Sequence, residues 1–198
     1  MTAAVAWSNP ANALPTGFSV AGPVGGAVLD AANDSTHLTV DQSSNRVVID
    51  WSSFNIGTSD HVTFNQPSKN AIAFNVVNPT SLTTIDGHLN ANGGVWLFSP
   101  AGIIFGSGSV VNTGSFLAST GLFNATSQAE ALNDATGVNQ IQIFSPPTPS
   151  SSITVLPSFN GSGTSLPAAS IEATAGFVLL NAPTIEMDGA VTSDTDAV

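Results

Sequence analysis

Hydrophobic and polar positions alternate along the first half of the chain. Over residues 36–42, Leu38 and Val40 oppose Thr39 and Asp41; over 46–51, Val47, Ile49 and Trp51 share one face, with Val48 and Asp50 on the other. A period of two predicts half-buried strands. The turn-like residues 41–45 between them make the pair a hairpin or the first rung of a coil. Residues 61–64 and 71–77 follow as strands, the second with Ile72, Phe74 and Val76 inward, and Pro67 ends the first. From Asp86 to Thr120 the apolar runs are short (95–98, 103–105, 110–111, 116–117) and cut apart by Gly, Pro, Asn and Ser. They are too short for helices and rich in β-branched and aromatic residues, so they read as strands. Gly93-Gly94, Pro100 with Gly102, Gly106 with Gly108, and Gly114 supply positive φ or preset turns.

A chain that turns this often, with no charge between Asp86 and Thr120, must hide most of its strands. A β-solenoid does so by stacking each rung on the next around a side-chain core. Internal similarity supports it. Residues 89–98 align without a gap on 171–180, so that Ala91 falls on Ala173, Gly94 on Gly176, Leu97 on Leu179 and, further on, Ile103 on Ile185. The expected fold is all-β, a right-handed parallel β-helix. Residues 1–17 are a loose arm, and 18–198 form one domain whose β cap spans about 18–50. Such a cap covers the first rung's open core. Residues 128–132 are expected to make one helical turn, 141–144 a short strand, and 153–156 its return strand. The whole of 125–168 is read as an excursion from the coil, which resumes at Ala169. The acidic residues 192–198 bring no cap-like apolar segment, so the chain is expected to be the front piece of a longer protein.

Composition narrows the function. The 198 residues carry thirteen acids against Arg46 and Lys69, a formal charge of −11, and no cysteine. Nucleic-acid affinity comes mainly from Lys and Arg neutralising phosphates, so no nucleic-acid partner is expected, and anionic membranes, which attract the same residues, are disfavoured. Charged residues are 8% of the chain against about 25% in ordinary domains. The surface is therefore dressed in Ser, Thr, Asn and Gly, as suits an extracellular solenoid. Disulfide and thiolate-metal scaffolds are excluded, and no apolar run reaches the roughly 20 residues of a spanning helix. No basic segment followed by an apolar one opens the chain.

Five blocks carry a resemblance: Trp51-Ser-Ser-Phe54-Asn55-Ile-Gly57; Phe64-Asn65-Gln66-Pro67; Ile85-Asp86-Gly87; Ser99-Pro100-Ala101-Gly102-Ile103-Ile-Phe-Gly; and Leu117-Ala-Ser-Thr. In this order the chain resembles the N-terminal secretion (TPS) domain of two-partner secretion exoproteins, the filamentous-haemagglutinin-like or haemagglutination activity domain. The resemblance covers residues 14–120 most closely. It departs at 99–103, where the family's usual Asn-Pro-Asn-Gly-Ile keeps its Pro and Gly but loses both Asn side chains. It implies secretion through the periplasm to the surface of a Gram-negative bacterium. There the POTRA domains of a TpsB-type outer-membrane transporter would recognise a monomer that nucleates β-helix folding. Ser99 to Ile103 are the expected recognition and turn segment. Trp51, Phe54, Asn55, Gly57, Asn65, Gln66, Pro67, Asp86 and Gly87 are the remaining family residues.

Two other functions are weighed. One is an adhesin that binds host cells or glycans directly, with Trp51 and Trp96 as sugar platforms; strand tryptophans are more often core. The other is a β-helix polysaccharide hydrolase using a carboxylate pair among Asp50, Asp86 and Asp188. A lyase is disfavoured because two cations cannot hold an acidic glycan and an enolate. His37, His61 and His88 lie far apart in sequence and read as surface or satisfied residues. Asn90, Asn92, Asn112 and Asn181 read as turn or ladder amides. No catalytic residue, metal or cofactor is expected.

Overall fold

The computed structural model describes residues 13–21, 26–124, 128–129, 131–132, 150–156 and 167–193. Strands β1 (Ser19–Ala21) and β2 (Ala27–Leu29) precede five stacked rungs. The first rung holds β3 (His37–Gln42) and β4 (Arg46–Trp51). The second holds β5 (His61–Asn65), β6 (Ile72–Val77) and β7 (Thr83–Ile85). The third holds β8 (His88–Ala91), β9 (Gly94–Phe98) and β10 (Ile103–Phe105), and the fourth β11 (Val110–Thr113), β12 (Ser115–Ser119) and β13 (Ser152–Val155). The fifth holds β14 (Ser170–Ala173), β15 (Val178–Asn181) and β16 (Thr184–Met187), and β17 (Ala190–Ser193) begins the next turn.

Three sheets result. Sheet I runs β2-β3-β5-β8-β11-β14-β17, sheet II β1-β4-β6-β9-β12-β15, and sheet III β7-β10-β13-β16. Among the described strands the cap pairings are antiparallel, β1 on β4 and β2 on β3, and every other strand pair is parallel. The chain is a parallel β-helix with a β cap at one end. Adjacent strands along the sequence sit in different sheets, so β3 and β4 are two sides of one rung, not a hairpin.

The interior is built from columns of equivalent positions. Sheet I contributes Leu38, Val62, Leu89, Val111 and Ile171, all buried. Sheet II contributes Val47, Ala73, Val95 and Phe116. Ile56 bridges to Ile85 and so gives the first rung its third side; Ile85, Phe105 and Val155 continue that column. Each Val, Leu, Ile or Phe side chain of these columns taken from water contributes roughly 1.5–3 kcal/mol.

Four expectations change. In β6 the inward residues are Ala73, Asn75 and Val77, while Ile72, Phe74 and Val76 point outward. Asn75 is held inside by accepting from the Trp51 indole at 3.0 Å and donating to Ala73 O at 3.1 Å. The outer face of sheet II is itself apolar, with Val48, Phe74, Phe98 and Leu117 packed under Phe123, Ala131 and Leu132. A strand covered on both sides has no single inward face to read.

Second, the internal repeat holds in sheets I and III but slips in sheet II. Ala91 shares a column with Ala173, and Ile103 with Ile185; Leu97 aligns with Ala118 and Leu180, not Leu179. The later rung has one more residue at its first corner and one fewer at its second. Third, β13 pairs with β10 and β16, so the strand expected to return from an excursion belongs to the coil. The strand expected over 141–144 lies outside the described residues. Residues 128–129 and 131–132 are helical, as expected. Fourth, the part of the expected loose arm that is described is tied down. Ala13 N donates to the Asp60 carboxylate, Gly57 N donates to Ala13 O at 2.8 Å, and Thr16 pairs with Ser53.

Candidate functional site

The residues singled out by resemblance are the corners of the coil. Trp51 is buried against Phe18 and Phe54, both edge-on to its ring at 5.4 and 5.5 Å. The next residues close the first rung: Phe54 and Ile56 enter the core, the Asn55 side-chain oxygen accepts from Thr84 N at 2.9 Å, and Ile56 N donates to Thr84 O.

Asn65, Gln66 and Pro67 form the corner from sheet I to sheet II, with Asn65 and Pro67 exposed and Gln66 buried. The Gln66 Nε2 group reaches Gln42 Oε1, Ala71 O and Gly94 O at 3.0–3.2 Å. In the rung below, Gln42 Nε2 donates to Ser44 O and Ile72 O. In the rung above, Asn92 accepts from Gln66 N and donates to Gln66 O at 2.7 and 2.8 Å. Side-chain amides thus staple three successive rungs at one corner, adding partners to its backbone groups.

Asp86 and Gly87 form the corner from sheet III to sheet I, and both backbone N–H groups donate to Ile56 O. A side chain on Gly87 would come within 2.2 Å of Gly57 O. Ser99 to Ile103 make the corner from sheet II to sheet III. Ser99 is fully buried; its hydroxyl accepts from the Thr83 hydroxyl at 2.9 Å and donates to Gly102 O at 3.0 Å. Gly102 has φ +122° and Gly108 +84°, whereas the expected Gly93, Gly94, Gly106 and Gly114 have no positive φ. These four allow close approach instead; a Cβ at Gly106 would fall 1.7 Å from the Asp86 carboxylate. Of the five residues at 99–103 only Ala101 is partly exposed, so the pentapeptide shapes the coil from within.

His37, His61 and His88 are brought together. They occupy one register position on β3, β5 and β8, with rings parallel within 5° at 5.0 and 4.5 Å. Their unequal spacing in sequence conceals this ladder. Burial, then the rings of His88 and His37, hold the His61 imidazole below the usual histidine range, with Asp60 pulling the other way. Asp34, below His37, accepts from Thr36 N, the Thr36 hydroxyl and His37 N, which lowers its pKa to about 2. Stacked rings do not converge on a point, and among the described residues no group of three His or acidic side chains is arranged to hold a metal.

The carboxylates do not pair. Asp86 follows β7 and Asp188 follows β16, three strand spacings apart in sheet III, or about 14 Å. Asp50 lies on sheet II, where burial raises its pKa. A glycosidase needs two carboxyl groups within roughly 5–9.5 Å. The asparagines behave as structural amides: Asn90 and Asn112 stack in register, and Asn181 donates to Ser119 Oγ at 3.1 Å. Trp96, unlike Trp51, stands on the outer face of sheet II between Phe74 and Phe177.

The TPS secretion domain model matches residues 19–195, nearly the whole of this coil. The chain belongs to that family. It is a secretion domain of the two-partner secretion exoproteins, a family of exported proteins and not of enzymes, and such proteins leave the cell through the periplasm. A heme/hemopexin-binding protein of Haemophilus influenzae Rd is 39% identical over 124 residues, covering 61% of this chain and 12% of that protein. Another heme/hemopexin-binding protein of H. influenzae is 38% identical over 95 residues, covering 48% and 10%. The matched segments span about a tenth of the length of these curated relatives. The crystal structure of the HMW1 secretion domain from H. influenzae superposes with a TM-score of 0.68 at 23% identity, covering 90% of this chain and 42% of that one. That likeness extends to the fold of the coil.

Proposed function

We propose that this TPS domain is the export-recognition part of a longer exoprotein. The POTRA domains of a TpsB-type outer-membrane transporter bind it in the periplasm, and it is delivered to the cell surface as the first coil to fold. The observation that carries the reading is the family match over residues 19–195, on a fold in which each rung pairs only with its neighbours. Such a fold can grow rung by rung as chain emerges from a pore. Among the described residues β15, β16 and β17 are each terminal in their sheets. The family residues at the corners serve recognition through the shape they give the coil.

The test is capture of the transporter's purified periplasmic region on immobilised domain. Retention by the folded domain, and none by urea-unfolded domain, is expected. Absence of retention alongside binding of the same domain to host-cell glycans would replace this reading with a direct adhesin.

A further inference from the structure

The histidine ladder is made by backbone register. His37, His61 and His88 hold one position on β3, β5 and β8, so their Cβ atoms repeat at the strand spacing of about 4.8 Å. The rings of His37 and His61 stack at 5.0 Å, those of His61 and His88 at 4.5 Å. The row then ends, because the same position is Val110 on β11 and Ser170 on β14. Three imidazoles thus stand side by side on the outer face of sheet I, His37 exposed and the other two half-buried.

Their nitrogens are available. His37 Nδ1 lies 2.9 Å from the Thr36 hydroxyl and 3.3 Å from Asp34 Oδ1, which leaves its Nε2 facing away from that pair. Among the described residues no hydrogen bond engages Nε2 of His37 or either ring nitrogen of His61 and His88. A carboxylate on the far nitrogen of an imidazole fixes the ring and raises its strength as a ligand. Imidazole suits zinc, copper and nickel. Zinc–imidazole bonds of about 2.0–2.1 Å let one ion span about 4.2 Å at most. An ion therefore joins neighbours in the row but not its ends, which lie two strand spacings apart, about 9.6 Å. Stacked rings hold their lone pairs side by side. Rotation about χ2, a broad torsion in histidine, brings two nitrogens onto one ion without moving the backbone. His61 belongs to both adjacent pairs.

We infer that the ladder binds one divalent transition-metal ion of the zinc, copper and nickel class, held between His61 and one neighbouring histidine, with water completing its coordination. The ligands are 24 and 27 residues apart in the chain, so the site forms only when the rungs are stacked. An ion held there fastens successive rungs on their outer face, and a ligand of the folded state alone stabilises that state. Nitrogen donors select against Mg²⁺ and Ca²⁺, which take oxygen ligands. Nothing in this site depends on the transporter.

The experiment uses the whole domain, untagged and stripped with chelator, titrated calorimetrically with ZnCl₂ and with CuCl₂ and again in excess Mg²⁺. One ion per domain is expected, Cu²⁺ binding more tightly than Zn²⁺. His37→Asn and His88→Asn each leave one adjacent pair, so at least one of them should keep the parent's affinity. His61→Asn leaves as many imidazoles but no two adjacent. It should bind about tenfold more weakly or worse, since losing a ligand costs no less than losing its outer-shell partner. Zn²⁺ should raise the thermal midpoint of the parent and not that of His61→Asn. Affinity kept in His61→Asn, loss in all three variants, no binding by the parent, or displacement of the ion by Mg²⁺ would each overturn the site. Should His61→Asn lower the midpoint without metal, the parent's imidazole NMR signals decide. Zn²⁺ must shift those of His61 and a neighbour, and shifts confined to other residues would equally overturn it.

Discussion

Gly102 turns the chain at φ +122°, with Leu82 and Ser152 at 3.1 and 3.2 Å from where a Cβ would stand. Replacing it by Val adds backbone strain of about 1–3 kcal/mol to that crowding. Gly102→Val should therefore unfold at lower urea and reach the medium in smaller amounts; an unchanged urea midpoint would show that the corner relaxes. Gln66 offers a second reading at this scale. Gln66→Leu takes a donor away from Gln42 Oε1, Ala71 O and Gly94 O, of which Ala71 O keeps Gly94 N, and costs about 1–3 kcal/mol for each buried group left unmet. A drop in stability of that order in urea titrations is expected, and Gln66→Glu should lose as much, because a carboxylate cannot donate. The turn residues were legible because Pro and Gly announce corners. Gln66 and Asn92 were legible only as polar turn residues, since the rungs they join lie 26 residues apart in sequence.

The three sheets differ in what lies over them. Sheet II carries Phe74 and Phe98 on its outer face, with Phe123 5.8 and 4.6 Å from their rings. Phe123→Ala should cost about 1.5–3 kcal/mol and raise binding of a hydrophobic dye, because the patch beneath would open; unchanged dye binding would mean other residues cover it. The inward face of β6 was misread from sequence for this reason: the cover arrives some fifty residues later, and nothing local foretells it.

The outer face of sheet I is largely polar, and there the histidine ladder sets a pH dependence. Because the folded pKa of His61 is depressed, the folded state takes up this proton less readily than the unfolded chain. Its contribution is present above the unfolded value of about 6.5 and is lost as pH falls through the lower folded value. Urea midpoints at pH 7.5 and 5.5 should differ, and His61→Asn should narrow the difference; an equal gap in the variant would remove His61 as its source. The Asp34 carboxylate, at about 2, adds a loss confined to pH below its usual 3.8. The ladder was invisible in the sequence, since the intervals of 24 and 27 residues equal one rung only once the corner lengths are known.

At the scale of the whole molecule, the coil and the family were legible, because short apolar runs, punctuating glycines and five ordered blocks all describe one periodic object; the expected cap bounds ran too far, since residues 37–51 of the expected 18–50 form the first rung. What a single sequence could not give was the third dimension of the period. Corners of unequal length shift the register, so Leu179 points out at 46% exposure while Leu180 packs on the core. Function at this scale follows from architecture: a sparsely charged stack of rungs in a family dedicated to export.

The most direct measurement is release of this domain into the medium by a Gram-negative host that carries or lacks the matching outer-membrane transporter. The account predicts folded, protease-resistant domain in the medium only when the transporter is present. Equal release with and without the transporter, or retention in the periplasm in both, would contradict it.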